Sequence, residues 1–168
     1  MPEREHSEEV QAAIEESRKQ AEFSLKKGLE RLQKPDEEEQ ELGMDLVGSA
    51  VEKLFGNHQF AESLALLDEA VEGGKMTSEL REVVLQKAVK KELRRGESFS
   101  RSLGNDSHRN SLKSIESHFG GNTELQGMAL REVQKQNKAR IEYLKKEQSD
   151  LEKDNAEIAA ALEKEPQA

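Results

Sequence analysis

Residues 123–162 read TELQGMALREVQKQNKARIEYLKKEQSDLEKDNAEIAAAL, and no glycine or proline interrupts the chain between Gly127 and Pro166. From Leu130 the stretch can be laid out in heptads. Leu130, Asn137, Leu144, Leu151 and Ile158 take the d positions, and Gln134, Ile141, Gln148, Asn155 and Leu162 the a positions. Apolar residues that recur every seven places mark a helix that pairs with another helix. Four of the ten core positions are polar, so the seam is a marginal coiled coil. An Asn at a, here Asn155, costs stability but fixes register and favours two strands. The spacing therefore predicts a homodimer paired over about 130–162, through Ile141, Leu144, Leu151, Asn155, Ile158 and Leu162.

The rest of the chain also reads as helix. Ser7 is the expected N-cap of a first helix reaching Gln33, with Glu8 and Glu9 where the helix dipole favours acids. Val10, Ile14, Ala21, Leu25, Leu29 and Leu32 form its apolar stripe. Lys34-Pro35 ends it, because the residue before proline avoids the α region. Asp36, with Glu39 three residues on, opens a second helix whose buried stripe is Leu42, Leu46, Ala50, Val51 and Leu54. Gly56-Asn57-His58 is a turn. A third helix over about Gln59–Glu72 carries Phe60, Leu64, Leu67 and Val71, and Gly73-Gly74 stops it. Thr77 or Ser78 starts a fourth helix, expected to end at Arg94-Arg95-Gly96. ESFSRSLGNDSHRN at 97–110 reads as a Ser-rich loop. A short helix with Leu112, Ile115 and Phe119 on one side closes at Gly120-Gly121, and Thr123 with Gln126 caps the last helix. The resulting layout is an all-α chain: an N-terminal charged amphipathic helix (1–35), a helical-hairpin domain (36–96), the loop (97–110), a short helix (111–122) and a long C-terminal helix (123–168).

Composition agrees with extended or paired helices. The 168 residues are 33% apolar and 36% charged, with five Phe, one Tyr and no Trp, which leaves little for a single large core. There is no cysteine, which removes disulfides, thiol catalysis and Cys-ligated metals and fits a reducing, cytoplasmic setting. No apolar run is long enough to cross a membrane, and MPEREHSEEV lacks the apolar core of a secretory signal. The net charge of −9 argues against a nucleic-acid surface over the whole chain.

Only residues 81–119 oppose that sign, with nine basic and five acidic side chains. Within them KAVKKELRR places Lys87, Lys90, Lys91, Arg94 and Arg95 on one broad helical face. Such a face can meet an acidic protein surface or phosphates, or pair within the chain. Aromatic residues for stacking on single strands are missing from it.

Other chemistry is thin. His6, His58, His108 and His118 form no His pair four residues apart, and HExxH is absent. The pairs Glu8-Glu9 and Glu15-Glu16 and the run Glu37–Glu39 lie on polar helix faces, where solvation rather than acid–base catalysis explains them. GGKM at 73–76 lacks the phosphate-loop pattern. No catalytic, cofactor or metal site is expected.

Residues 58–72, HQFAESLALLDEAVE, carry an aromatic residue (Phe60), a small one (Ser63), apolar Leu64, Leu66 and Leu67, and Ala70 seven places after the small one. With Val47, Ala50, Val51 and Leu54 upstream, residues 46–72 resemble a tetratricopeptide-repeat hairpin. His58 stands where the family has a turn glycine. A second turn, Arg95-Gly96-Glu97, lies 38 residues after His58 rather than at the family spacing of about 34. The resemblance implies a scaffold that binds peptides or partner proteins without chemistry of its own. The expected function is thus a non-enzymatic protein-interaction module: an adaptor, chaperone, assembly scaffold or binding effector. The alternative is a dimeric nucleic-acid-associated regulator docking through 87–95.

Overall fold

A computed structural model describes residues 2–102 and 112–162, with side chains at 8–95 and 114–161. These residues form six helices and no strand: α1 (Pro2–Leu32), α2 (Glu37–Gly56), α3 (Phe60–Glu72), α4 (Ser78–Ser102), α5 (Leu112–His118) and α6 (Thr123–Leu162). The all-α class expected from the sequence is the class observed. The chain divides into two compact units, 1–130 and 131–168.

The first unit takes in α1, whose Ala21, Leu25 and Leu29 are buried. Two glycines let α1 and α2 approach closely. A Cβ on Gly28 would lie 2.7 Å from Val47 Cγ2 and 2.8 Å from the Gly43 carbonyl oxygen. One on Gly43 would lie 2.8 Å from the Gly28 carbonyl oxygen. Neither helix has room for a side chain at the crossing. Polar ties flank it: Asn57 Nδ2 donates to Ser17 Oγ at 2.8 Å, and Lys53 Nζ donates to Gln20 Oε1 at 2.6 Å. The core continues through Val47, Val51, Leu54 and Phe55 of α2, Leu64 and Leu67 of α3, Val84, Leu85 and Val89 of α4, and Ile115, Phe119 and Leu125.

The caps show where local chemistry decided the boundaries. Asp36 accepts from the Glu39 amide at 3.1 Å, as expected for an N-cap. The Glu39 carboxylate turns instead to Arg31 (2.7 Å) and Lys34 (3.0 Å). The Lys34 hydrogen bond, aided by the charge of Arg31, holds that carboxyl below its ordinary range against a partial desolvation. Thr77 Oγ1 accepts from the Leu80 amide and caps α4. Gly74, Gly120 and Gly121 adopt left-handed φ values of 66°, 56° and 82°, and each follows a helix end.

Five expectations need correction. α1 starts at Pro2, so Ser7 is inside the helix rather than its cap. Asn122, not Thr123, caps α6: its Oδ1 accepts from the Leu125 amide at 3.0 Å, and Gln126 Nε2 reaches the Glu116 carbonyl. The two candidates are adjacent, and the one directly after the left-handed Gly121 takes the cap. α4 passes through Gly96 to Ser102, so 97–102 are helical and the proposed second turn at Arg95-Gly96-Glu97 is absent. A lone glycine costs a helix only about 1 kcal/mol relative to alanine and does not stop it unaided. Residues 103–110 of the expected Ser-rich loop, and Ser111 at the expected start of the short helix, lie outside the described residues. Val10 and Ile14 of the α1 stripe are exposed because the buried contact with α2 lies nearer Gly28, and Leu42 of the α2 stripe is exposed beside the buried Gly43, off the face that meets α1.

Arg81 joins α3, α4 and the start of α6. Its guanidinium bonds Asp68 at 2.7 Å and Glu124 at 2.6 Å, and its side chain is largely buried. The Glu124 hydrogen bond outweighs desolvation and raises the Arg81 pKa, while the same bond lowers that of Glu124.

Gly48, in mid-α2, has nothing within 4 Å of an added Cβ. Gly48→Ala is expected to stabilise the protein by about 0.5–1 kcal/mol, because alanine favours helix and restricts the unfolded chain. A higher urea midpoint at unchanged slope would show it.

Candidate interaction surfaces

The second unit, considered by itself, is the α6 segment from Arg131 to Leu162. None of its described side chains is buried. Ile141 is 52% exposed, Leu144 48%, Leu151 59% and Ile158 57%. Asn155 is exposed on the same seam, and Tyr143 is exposed beside it. The side chain of Leu162 lies outside the described residues. Four large apolar residues in heptad register thus face solvent within one chain. A single water-exposed helix of this composition is marginal, since most helical stability in proteins comes from burying one face. Charge is distributed unevenly along the same segment, with bases concentrated before residue 147 and acids after it.

The basic face lies on α4 in the first unit. Lys87, Lys90, Lys91, Arg94 and Arg95 are all exposed. Lys91 and Arg95 are among those tied within the chain. Lys91 pairs with Glu52 of α2. Arg95 Nη1 bonds Glu92 Oε2 at 3.1 Å, and the same atom would stand 2.8 Å from a Cβ on Gly56. The acidic start of α2 is engaged elsewhere, through Glu39 with Arg31 and Lys34.

Beneath this face is a polar joint. Glu92 is a buried carboxylate, held by Arg95 and by His118 Nε2 at 3.2 Å from its Oε1. The His118 ring meets His58 at 5.3 Å, Phe60 at 5.9 Å and Phe119 at 5.0 Å between centroids, all edge-on or steeply inclined. His58 reaches this cluster from a left-handed residue, φ 57°, in the turn before α3. Burial opposes ionisation of Glu92, but the His118 hydrogen bond and the charges of Arg95 and His118 prevail and lower its pKa from the ordinary 4.5. A carboxylate whose pKa falls on folding adds stability above its unfolded pKa, and that stability is lost as pH drops through the folded value. Glu92→Gln is therefore expected to be less stable than the parent at pH 7. The gap should narrow as pH falls below about 4.5 and be smaller at pH 3 than at pH 7, as urea midpoints at the two pH values would report.

A groove of about 300 Å³ lies between α1 and α3, floored by Leu25, Leu29, Leu66 and Ala70 and rimmed by charged side chains. It was not legible in sequence, because it needs two helices joined only through α2. Among the described residues no group of three or more His, Asp or Glu could hold a metal ion. No helix among them is long and apolar enough to cross a membrane. Of the positions behind the tetratricopeptide resemblance, Phe60, Ser63, Leu64, Leu67 and Ala70 are buried, Leu66 is half-buried at the groove, and Ser63 Oγ donates to the Phe60 carbonyl at 3.0 Å.

No family model matches the chain, and no curated protein or solved structure matches it.

Proposed function

We propose that the protein is a non-enzymatic interaction module of the cytoplasm, which pairs with a second copy through α6 and offers its first unit to a protein partner. The observation that carries this reading is the exposed seam Ile141, Leu144, Leu151 and Ile158, held in heptad register on a continuous helix. Burying a leucine side chain is worth about 1.5–3 kcal/mol, so a seam of this kind gains substantially from a partner helix. The partner-binding role of the first unit is supported by its charged α4 face, where Lys87 and Arg94 stand exposed, and by the groove between α1 and α3. Charge complementarity there would set selectivity and on-rate more than affinity.

The same α4 face supports a second reading, docking on nucleic acid. That reading is weaker, because Lys91 and Arg95 are already tied to carboxylates.

Co-expression of a tagged and an untagged copy tests the pairing. The untagged chain should be retained with the tagged one. A tagged copy ending at Leu130 should not retain it. Failure of two full-length copies to copurify would contradict the proposal.

A further inference from the structure

The α6 seam does not by itself choose an orientation. Parallel pairing would stack Leu144 on Leu144 and Leu151 on Leu151. Antiparallel pairing would set Ile141 on the partner's Leu151. The flanking charges do choose. Residues 131–146 carry six basic and two acidic side chains, and residues 147–162 carry one basic and five acidic. Parallel chains would lay the basic half on the basic half and the acidic half on the acidic half.

The positions beside the seam sharpen this. With Leu144 at d, the e positions are Lys138, Lys145 and Glu152, and the g positions are Arg140, Glu147 and Asp154. All six side chains are exposed. In a parallel dimer each g residue meets the next e residue of the other chain. Arg140 would face the partner's Lys145, and Glu147 the partner's Glu152, so both contacts repel.

Antiparallel chains instead bring e to e and g to g. In the register that sets Ile141 against the partner's Leu151, Lys138 meets the partner's Glu152 and Arg140 meets the partner's Asp154. The register also places Asn137 opposite the partner's Asn155. The two polar core residues then share one layer and can hydrogen-bond each other, as each would with its own copy in a parallel pair, so the flanking charges and not the core decide the orientation. Two repulsive contacts remain at the centre, where Lys145 meets the partner's Lys145 and Glu147 the partner's Glu147. Gln134 and Gln148 lie opposite the partner's Ile158 and Leu144, and their long side chains can reach solvent at the edge of a two-stranded seam. Each chain then contributes two attractive flanking contacts, whereas parallel chains offer none.

We infer that the second copy docks on α6 antiparallel, with Ile141 against the partner's Leu151 and Asn137 against the partner's Asn155. This rests on the self-pairing proposed above. It adds the orientation of the two paired segments.

The chain has no cysteine, so a single Ala160→Cys variant of the full protein carries one spin label per copy without further changes. Ala160 is exposed and at an outer heptad position. Antiparallel pairing puts the partner's label about 28 residues along the helix, or about 42 Å at 1.5 Å per residue. Parallel pairing puts the labels within about 20 Å, across two adjacent helices. A pulsed electron–electron distance near 42 Å is expected. A short distance in a sample of dimeric mass would overturn the orientation and leave self-pairing intact. A monomeric mass with no inter-label distance would overturn both.

Arg140→Glu gives a second, label-free readout. Antiparallel pairing predicts weakening on the order of tenfold, from two symmetry-related contacts turned repulsive, with recovery in Arg140→Glu/Asp154→Arg. Tightening by Arg140→Glu would instead indicate the parallel contact with the partner's Lys145 and overturn the inference.

Discussion

Replacing Leu144 and Leu151 together by aspartate is expected to leave the full chain monomeric at every accessible concentration. A dimer buries four leucines at these positions. At about 1.5–3 kcal/mol each, their loss removes some 6–12 kcal/mol. The weakening is at least about a hundredfold even if half of that is discounted for incomplete burial. Four carboxylates in an apolar seam add to the loss, since a buried unpaired charge is strongly unfavourable. The first unit should be untouched, because neither leucine belongs to it. Its urea unfolding transition should therefore match the parent's. The far-ultraviolet helix signal should fall, because a lone polar helix of this length is marginal in water. An unchanged solution mass would place the dimer contact elsewhere or remove it.

Gly28→Val is expected to cost about 3 kcal/mol, the upper part of the range for overpacking. Its Cβ alone would stand 2.7 Å from Val47 Cγ2 and 2.8 Å from the Gly43 carbonyl oxygen. The carbonyl belongs to a helical backbone, so α1 must shift as a whole. Val47 is fully buried and cannot yield. A small offset comes from valine's better helix propensity than glycine's. The variant should lose several degrees in Tm and unfold at clearly lower urea. Stability within about 0.5 kcal/mol of the parent would show that α1 does not pack on α2 through this glycine pair. Gly48→Ala, a glycine substitution in the same helical layer without a clash, separates steric cost from propensity.

The sequence was most legible where a pattern is local. Asp36 and Thr77 as caps, and the paired glycines after α3 and α5, follow from hydrogen-bond and φ requirements within a few residues. The buried stripe of α1 was legible from Ala21 through Leu29, and not at Val10 or Ile14. Periodicity says which residues share a face, not how far the neighbouring helix extends along it. Gly28 and Gly43 carried a signal that went unused: glycines inside helical patterns, away from any turn, mark close packing. Gly96 carried the opposite one, since the same residue type between two helical stretches is simply spanned by α4. The joint of Glu92, Arg95, His118 and His58 was not legible. Its histidines are 60 residues apart and come from the turn before α3 and the end of α5, so no spacing rule brings them together. The α6 seam is the reverse case, fully visible as a pattern and now seen exposed along its length.

Sedimentation equilibrium of the full chain across a dilution series tests the central claim most directly. Self-pairing through α6 predicts a monomer–dimer equilibrium that approaches twice 18.9 kDa at micromolar concentrations and dissociates on dilution. A mass of 18.9 kDa at every concentration would contradict it.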